Sequence, residues 1–117
     1  MNIIIKQRAP KRVTVNYSKG RIYKVINDVN NIIYIGSTTQ DIKSRLSQHK
    51  SKSKHIERDS IVYIGMRAVG SDHFSIVLIE LFPCKSKEEL EAREYAIIAT
   101  YDKDALYNTR HSNAQTD

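Results

Sequence analysis

The sequence predicts a single domain of the α/β (α+β) class, and three observations carry that expectation. Two β-branched and aromatic runs, residues 21–27 and 32–36, flank a polar Asp28-Val29-Asn30-Asn31 break. One continuous apolar run, Phe74 to Phe82, is stopped by Pro83. Between and after these lie segments with helical spacing and helix-start residues. At 117 residues the chain is long enough for one core and too short for two.

Taken in order, residues 1–19 are basic and broken by Pro10, with Val13, Val15 and Tyr17 alternating with polar residues. That pattern reads as an extra short strand or as an arm that orders on binding. Residues 21–27 and 32–36 read as an antiparallel hairpin. A loop centred between Asp28 and Val29 places Tyr23 opposite Tyr34 on one face, with the rings in reach of each other. A one-residue slip would put them on opposite faces. A helix is expected from Thr39 or Gln40 to about Lys52, with Thr39 or Asp41 satisfying its free N–H groups. Ile42 and Leu46 form its apolar stripe. Arg45 and His49 lie one turn apart at the stripe's edge, unlike the outward Lys43 and Lys50.

Residues 60–69 contain Ile61-Val62-Tyr63-Ile64, which suits a strand as well, but we read a helix ended by Gly70. Phe74 to Phe82 reads as a strand buried on both faces. Ser86-Lys87-Glu88-Glu89 is a capping box that opens a helix running to about Tyr101. Leu90, Ile97, Ile98 and Tyr101 make its inward stripe. Glu94 falls inside that stripe, whereas Glu88, Glu89 and Glu91 do not. A carboxylate so placed must be paired, protonated or bound to a cation.

The net charge is +6 and the pI is near 9.5, so a polyanion is the natural partner. Lys6, Arg8, Lys11, Arg12, Lys19, Arg21 and Lys24 all precede the first acid, Asp28. A second cluster, Lys43, Arg45, Lys50, Lys52, Lys54 and Arg58, meets only Asp41 and Glu57, and most acids lie between Glu80 and Asp104. Such polarity presents a positive face to phosphates; the plainer alternative is a solubilised basic surface. Cys84 is alone, which removes a disulfide framework and a cysteine-based zinc site and suits an intracellular setting. Ile3-Ile4-Ile5 is too short for a signal-peptide core, and no apolar run approaches membrane-spanning length.

Two phenols, a guanidinium, an imidazole and one inward carboxylate suit attack on a phosphodiester. That reaction needs an activated water, relief of charge on the phosphorus, and a stabilised leaving alkoxide. Glu94 is the candidate ligand for a hard divalent ion, which tolerates few protein ligands. Arg45 is the candidate for the scissile phosphate. Tyr23, its pKa lowered by Arg45 and a cation, is the candidate to accept or relay the water's proton, with Tyr34 or His49 orienting that water. Singly, each has an ordinary reading: sheet aromatics, a surface histidine, a solvated cation, a structural pair of Glu94 with Arg93 or Arg45, a turn-capping Asn108. Other chemistries fit poorly. Gly65 and Gly70 are isolated, so there is no glycine-rich phosphate loop. His49 and His55 are badly spaced for one metal face, His73 and His111 lack companions, and no serine sits in a nucleophile elbow.

At these residues the chain resembles the GIY-YIG nuclease superfamily, in the style of its small stand-alone phage and large-DNA-virus members. The matching text is Arg21-Ile22-Tyr23-Lys24-Val25-Ile26, Tyr34-Ile35-Gly36-Ser37-Thr38 and Arg45-Leu46-Ser47-Gln48-His49. It continues with Tyr63 to Ile76, Ala92-Arg93-Glu94 and Tyr107-Asn108. The resemblance covers residues 20–110, leaving 1–19 as an arm and 111–117 as a tail. It implies a three-stranded antiparallel sheet flanked by about three helices. It also implies one-metal hydrolysis of DNA with Mg²⁺ (or Mn²⁺), leaving 5′-phosphate and 3′-hydroxyl ends. By position it makes Tyr23, Tyr34, Arg45 and His49 catalytic, Glu94 the metal carboxylate, and Asn108 the asparagine that supports the site. Arg21, Lys24, Lys43, Lys50, Lys52 and Lys54 are the expected nucleic-acid contacts, double-stranded DNA the expected partner, and a monomer or weak dimer the expected state.

One position departs from the family pattern: Arg21 stands where the first motif has glycine, with Gly20 just before it. If the backbone must approach DNA closely there, Arg21 obstructs it; otherwise it adds a phosphate contact. The rival reading from another class is a catalytically silent nucleic-acid-binding module, and a third is a protein-interaction domain with incidental charge.

Overall fold

The computed structural model describes residues 15–55 and 60–109. The basic residues Lys6, Arg8, Lys11 and Arg12, the pair Glu57 and Arg58, and the 111–117 tail fall outside the described residues. Where the alternation of Val13, Val15 and Tyr17 suggested a strand, the described part is instead one turn of 3-10 helix, Tyr17–Lys19. Its cause is local. The Asn16 side chain accepts the N–H of Ser18 at 3.1 Å and its hydroxyl at 2.6 Å, which closes the turn.

Three strands follow: β1 (Arg21–Asn27), β2 (Tyr34–Thr38) and β3 (Phe74–Leu81), in the order β2-β1-β3 with both pairings antiparallel. The hairpin is present, but its register differs from the expectation. Tyr23 faces Gly36, and Tyr34 faces Val25. Asparagines in the loop account for the difference. Asn27 Oδ1 accepts the N–H groups of Val29 and Asn30 at 2.9 and 2.7 Å, and Asn30 Oδ1 accepts that of Ile32 at 2.9 Å. These bonds hold a longer loop and recentre the hairpin. Because the displacement is two residues, both phenols keep the same face.

Helix α1 (Ile42–Ser53) starts at Asp41, whose side chain accepts the Ser44 N–H at 3.1 Å. The ambiguous segment is helix α2 (Ile61–Val69), and Gly70 leaves it at φ +107, a conformation that disfavours any side chain. Helix α3 (Lys87–Ile98) opens as expected, with Ser86 Oγ accepting the Glu89 N–H at 3.1 Å. The reciprocal bond goes from the Lys85 N–H to Glu89 Oε1 at 2.7 Å. The helix ends short of Tyr101, because Thr100 and Tyr101 bond three residues back in tighter turns.

The sheet separates two cores. On one side Tyr23, Val25, Val62, Met66, Phe74 and Tyr107 pack with α1 and α2. On the other, Ile22, Ile35, Leu90, Ile97 and Leu106 pack beneath α3. Glycine at position 65 admits the Tyr107 ring, since a Cβ there would lie 2.8 Å from its Cε1.

β3 is not buried on both faces. Val77, Leu78 and Leu81 are 39, 41 and 63 % exposed. Among the described residues it pairs only with β1, and α3 lies over β2 and β1, so within the described sheet this apolar run is an edge. β2's outer edge, by contrast, is covered. The Ile33 N–H bonds Ala105 O at 2.9 Å and the Tyr107 N–H bonds Ile33 O at 2.7 Å, forming a parallel bridge between Ile33 and Leu106.

Candidate active site

The phenols of β1 and β2 meet α1 and α2 in a cluster of rings. Tyr23 is 1 % and His49 2 % exposed. The Tyr23 hydroxyl lies 2.7 Å from His49 Nε2, and the Tyr63 hydroxyl lies 3.1 Å from His49 Nδ1. Ring centroids of Tyr23 and Tyr34 are 6.5 Å apart, and Tyr34 meets His49 edge-on at 5.6 Å. Gly36 makes this possible. The Tyr23 ring lies across its backbone, and a Cβ there would come within 2.5 Å of Tyr23 Cζ.

Burial governs the protonation of all three groups. The Tyr34 phenol is pushed up to about 12, first by burial and then by the charge of Glu94. Tyr23 is pushed higher still by burial and by Tyr34, against the opposing pull of Arg45. Arg45 does lower Tyr23, through its charge and a hydrogen bond, as expected, but without a cation desolvation outweighs one guanidinium. His49 is lowered to about 4 by burial, then by the cations Arg45 and Lys52. At neutral pH the cluster is two protonated phenols around a neutral imidazole.

Arg45 is held by a chain of amides. Its Nη1 donates to Gln48 Oε1 at 2.9 Å, and Gln48 Nε2 donates to Gln40 Oε1 at 2.8 Å. Glu94 stands apart from the rings. It belongs to the α3 side of the sheet, where Ser37 Oγ donates to its Oε1 at 2.5 Å. Strand alternation puts Ser37 on the face opposite Tyr34 and Gly36. Yet its charge raises both phenols, and the Arg45 guanidinium acts on it in turn, so the two faces share one electrostatic neighbourhood. Ser37, which bonds Glu94, and Arg45, beside the rings, both reach the end of β2. A cleft of about 330 Å³ there is lined by Ser37, Thr38 and Arg45 on one wall and by Lys87, Leu90 and Glu91 of α3 on the other.

Glu94 also offers what a hard cation requires. Its carboxyl pKa is raised mainly by burial, against the Ser37 hydrogen bond. Its second oxygen has no hydrogen-bond partner among the described residues. Among those residues no three His, Cys, Asp or Glu side chains group together. The alternative pairing of Glu94 with Arg93 is not what the structure shows. Arg93 takes Glu80 through both Nε and Nη2 and lies 5.7 Å from the Phe82 ring centroid.

Asn108 acts on backbone. Its Oδ1 accepts the Ile35 N–H at 2.8 Å and its Nδ2 donates to Ile35 O at 2.7 Å, which fixes the strand between Tyr34 and Gly36. Arg21 turns back along its own chain. Its Nε donates to Lys19 O at 3.1 Å, while the close approach falls to buried Gly20, whose added Cβ would meet Phe82 O at 2.5 Å. Lys43 and Lys54 are exposed and Lys50 and Lys52 half-buried on α1. Lys24 alternates with Tyr23 and so lies on the α3 side of the sheet, away from the rings. Sequence reasoning passed over Tyr63, Ser37 and Gln48 as members of the site. Only Gln48 carried a usable signal, its place within the Arg45-to-His49 turn.

The three-stranded antiparallel sheet with its three helices is consistent with a nuclease catalytic domain. A family model described as the GIY-YIG catalytic domain matches residues 19–108, and the chain belongs to that family, whose members are endonucleases hydrolysing phosphodiester bonds. Two similar proteins come from Invertebrate iridescent virus 6. Protein 019R is 32 % identical over 83 residues, covering 70 % of this chain and 29 % of its own. Protein 146R, named for an MSV199 domain, is 32 % identical over 94 residues, covering 80 % of this chain and 36 % of its own. The chain thus spans about a third of the length of these curated relatives. No solved structure gives a significant match. Among the described residues no helix is long and apolar enough to cross a membrane.

Proposed function

We propose that residues 20–110 form a divalent-metal-dependent endonuclease acting on double-stranded DNA inside the cell, with 5′-phosphate and 3′-hydroxyl products. The observation that supports it best is that Glu94, on the α3 side of β2, and Arg45 with the phenol–imidazole cluster, on the other side, act on one another electrostatically across that strand. Glu94 holds Mg²⁺ (or Mn²⁺), which when bound supplies Lewis acidity to the phosphate.

The chain's own groups supply the rest. Arg45, fixed by Gln48 and Gln40, binds a non-bridging phosphate oxygen with its fork of donors. Tyr34, protonated up to about pH 12, orients the attacking water by hydrogen bonding. Tyr23 is too deeply buried to wait as a phenolate, so it takes the water's proton while passing its own to His49 Nε2. Lys43, Lys50, Lys52, Lys54 and Arg21 hold the flanking backbone, and binding therefore weakens steeply with salt. One such site cuts one strand per encounter.

Purified protein with Mg²⁺ is expected to nick supercoiled plasmid and to stop on addition of EDTA. Glu94→Ala and Arg45→Ala are expected to abolish nicking while leaving the melting transition in place. If both variants cut normally, the site is assigned wrongly. Salt-sensitive DNA binding without any product would instead make the chain a silent nucleic-acid-binding module.

A further inference from the structure

Tyr63 has no part in the chemistry above, yet its hydroxyl completes a line through the imidazole: Tyr23 Oη, 2.7 Å to His49 Nε2, then His49 Nδ1, 3.1 Å to Tyr63 Oη. The line runs outward. Tyr23 is 1 % and His49 2 % exposed, whereas Tyr63 on α2 is only partly buried. The groups facing His49 are Tyr23 from β1, Tyr34 from β2, Tyr63 from α2, and Arg45 and Lys52 on its own helix. Among the described residues no carboxylate hydrogen-bonds the ring. A neutral imidazole between two hydroxyls donates at one nitrogen and accepts at the other, so the partner at Nδ1 decides what Nε2 can do.

We propose that Tyr63 is a positioning residue for strand cleavage: it fixes which nitrogen of His49 carries hydrogen and conducts the proton that leaves Tyr23 to solvent. The inference rests on the endonuclease reading. In the resting arrangement Tyr23 donates to Nε2, and the Nδ1–H donates to Tyr63. As the water oxygen bonds to phosphorus, its proton goes to Tyr23 Oη and the Tyr23 proton goes to Nε2. The Nδ1 proton then goes to Tyr63 Oη, and the Tyr63 proton goes to bulk water. The scissile P–O electron pair leaves on the alkoxide, which takes a proton from solvent. Each phenol and the imidazole finish with the number of protons they held at the start, so no buried charge accumulates; the imidazole hydrogen now sits on Nε2, and one proton passed back along the same line from solvent after the product leaves returns it to Nδ1.

Tyr63→Phe keeps the ring and removes only the hydroxyl. Its expected effect is a fall in kcat of about tenfold, the order of one hydrogen bond, with KM and metal-free DNA affinity unchanged and the melting temperature lowered by a few degrees, because the buried Nδ1–H loses its partner. In a His49→Ala background the same substitution costs nothing further, because its path no longer exists. Nitrogen-15 spectra provide a readout separate from cleavage: the parent shows one neutral His49 tautomer, protonated at Nδ1, and Tyr63→Phe shows a mixture.

A Tyr63→Phe enzyme as fast as the parent, or a loss that adds in full to that of His49→Ala, overturns the inference and makes Tyr63 a packing residue. That failure is distinct from failure of the endonuclease reading, in which the parent itself never cuts. In that case the proton-conducting role falls with it, although the tautomer result would still report the hydrogen bond.

Discussion

Replacing Asn108 by alanine tests the support of the site most directly. Asn108 satisfies both backbone groups of Ile35, at 2.8 and 2.7 Å, and Ile35 is fully buried. Alanine leaves a buried N–H and a buried C=O without partners. Each such group costs roughly 1–3 kcal/mol, so about 2–6 kcal/mol is expected for the pair. For a domain of this size that lowers the melting temperature by at least about 8 °C. Asn108→Asp keeps the acceptor for the Ile35 N–H but sets a carboxylate oxygen against Ile35 O, so it destabilises at neutral pH as well. Urea unfolding of the parent and both variants reads the effect, and nicking rates measured well below the transition show whether Tyr34 and Gly36 remain in place. A loss under about 0.5 kcal/mol for Asn108→Ala would show that neither bond supports the strand, and would refute the reasoning.

Two further outcomes are expected. His49 is lowered from 6.5 to about 4, so the unfolded chain binds the extra proton first as pH falls. The stability this contributes is complete above pH 6.5 and is lost towards pH 4, on the order of 2–3 kcal/mol; urea midpoints across that range show the slope, and His49→Gln flattens it. Gly36→Ala drives a methyl into the Tyr23 ring. It should cost about 1–3 kcal/mol and slow nicking at least tenfold by breaking the Tyr23–His49 contact, whereas an unchanged ring environment in aromatic NMR spectra would contradict the packing.

Local signals in the sequence carried over well where the physics is local. Asp41, Ser86 and Gly70 mark helix ends because a cap needs only neighbouring backbone, and all three do so. The hairpin was legible and its register was not, because the loop's length is set by amide side chains, Asn27 and Asn30, whose bonds no alternation pattern reveals. The apolar run of β3 was mistaken for a buried centre strand; the same residues serve at an edge when a helix leans elsewhere. Glu94 was rightly singled out as an inward carboxylate, but which side of the sheet α3 covers is a tertiary fact, and it separates Glu94 from the rings by the thickness of β2. The net direction of the Tyr23 shift without a cation was not legible for a similar reason, since charge is visible in a sequence and depth is not.

The pairing of Ile33 and Ile35 with residues 105–108 has a consequence for synthesis. The strand bearing Tyr34 is made early, but its second neighbour leaves the ribosome only when translation has passed Asn108. Until then the nascent chain carries the reactive side chains on a strand with one unsatisfied flank. The platform that carries Tyr34 is thereby completed only once residues 105–108 have been made and can pair with it.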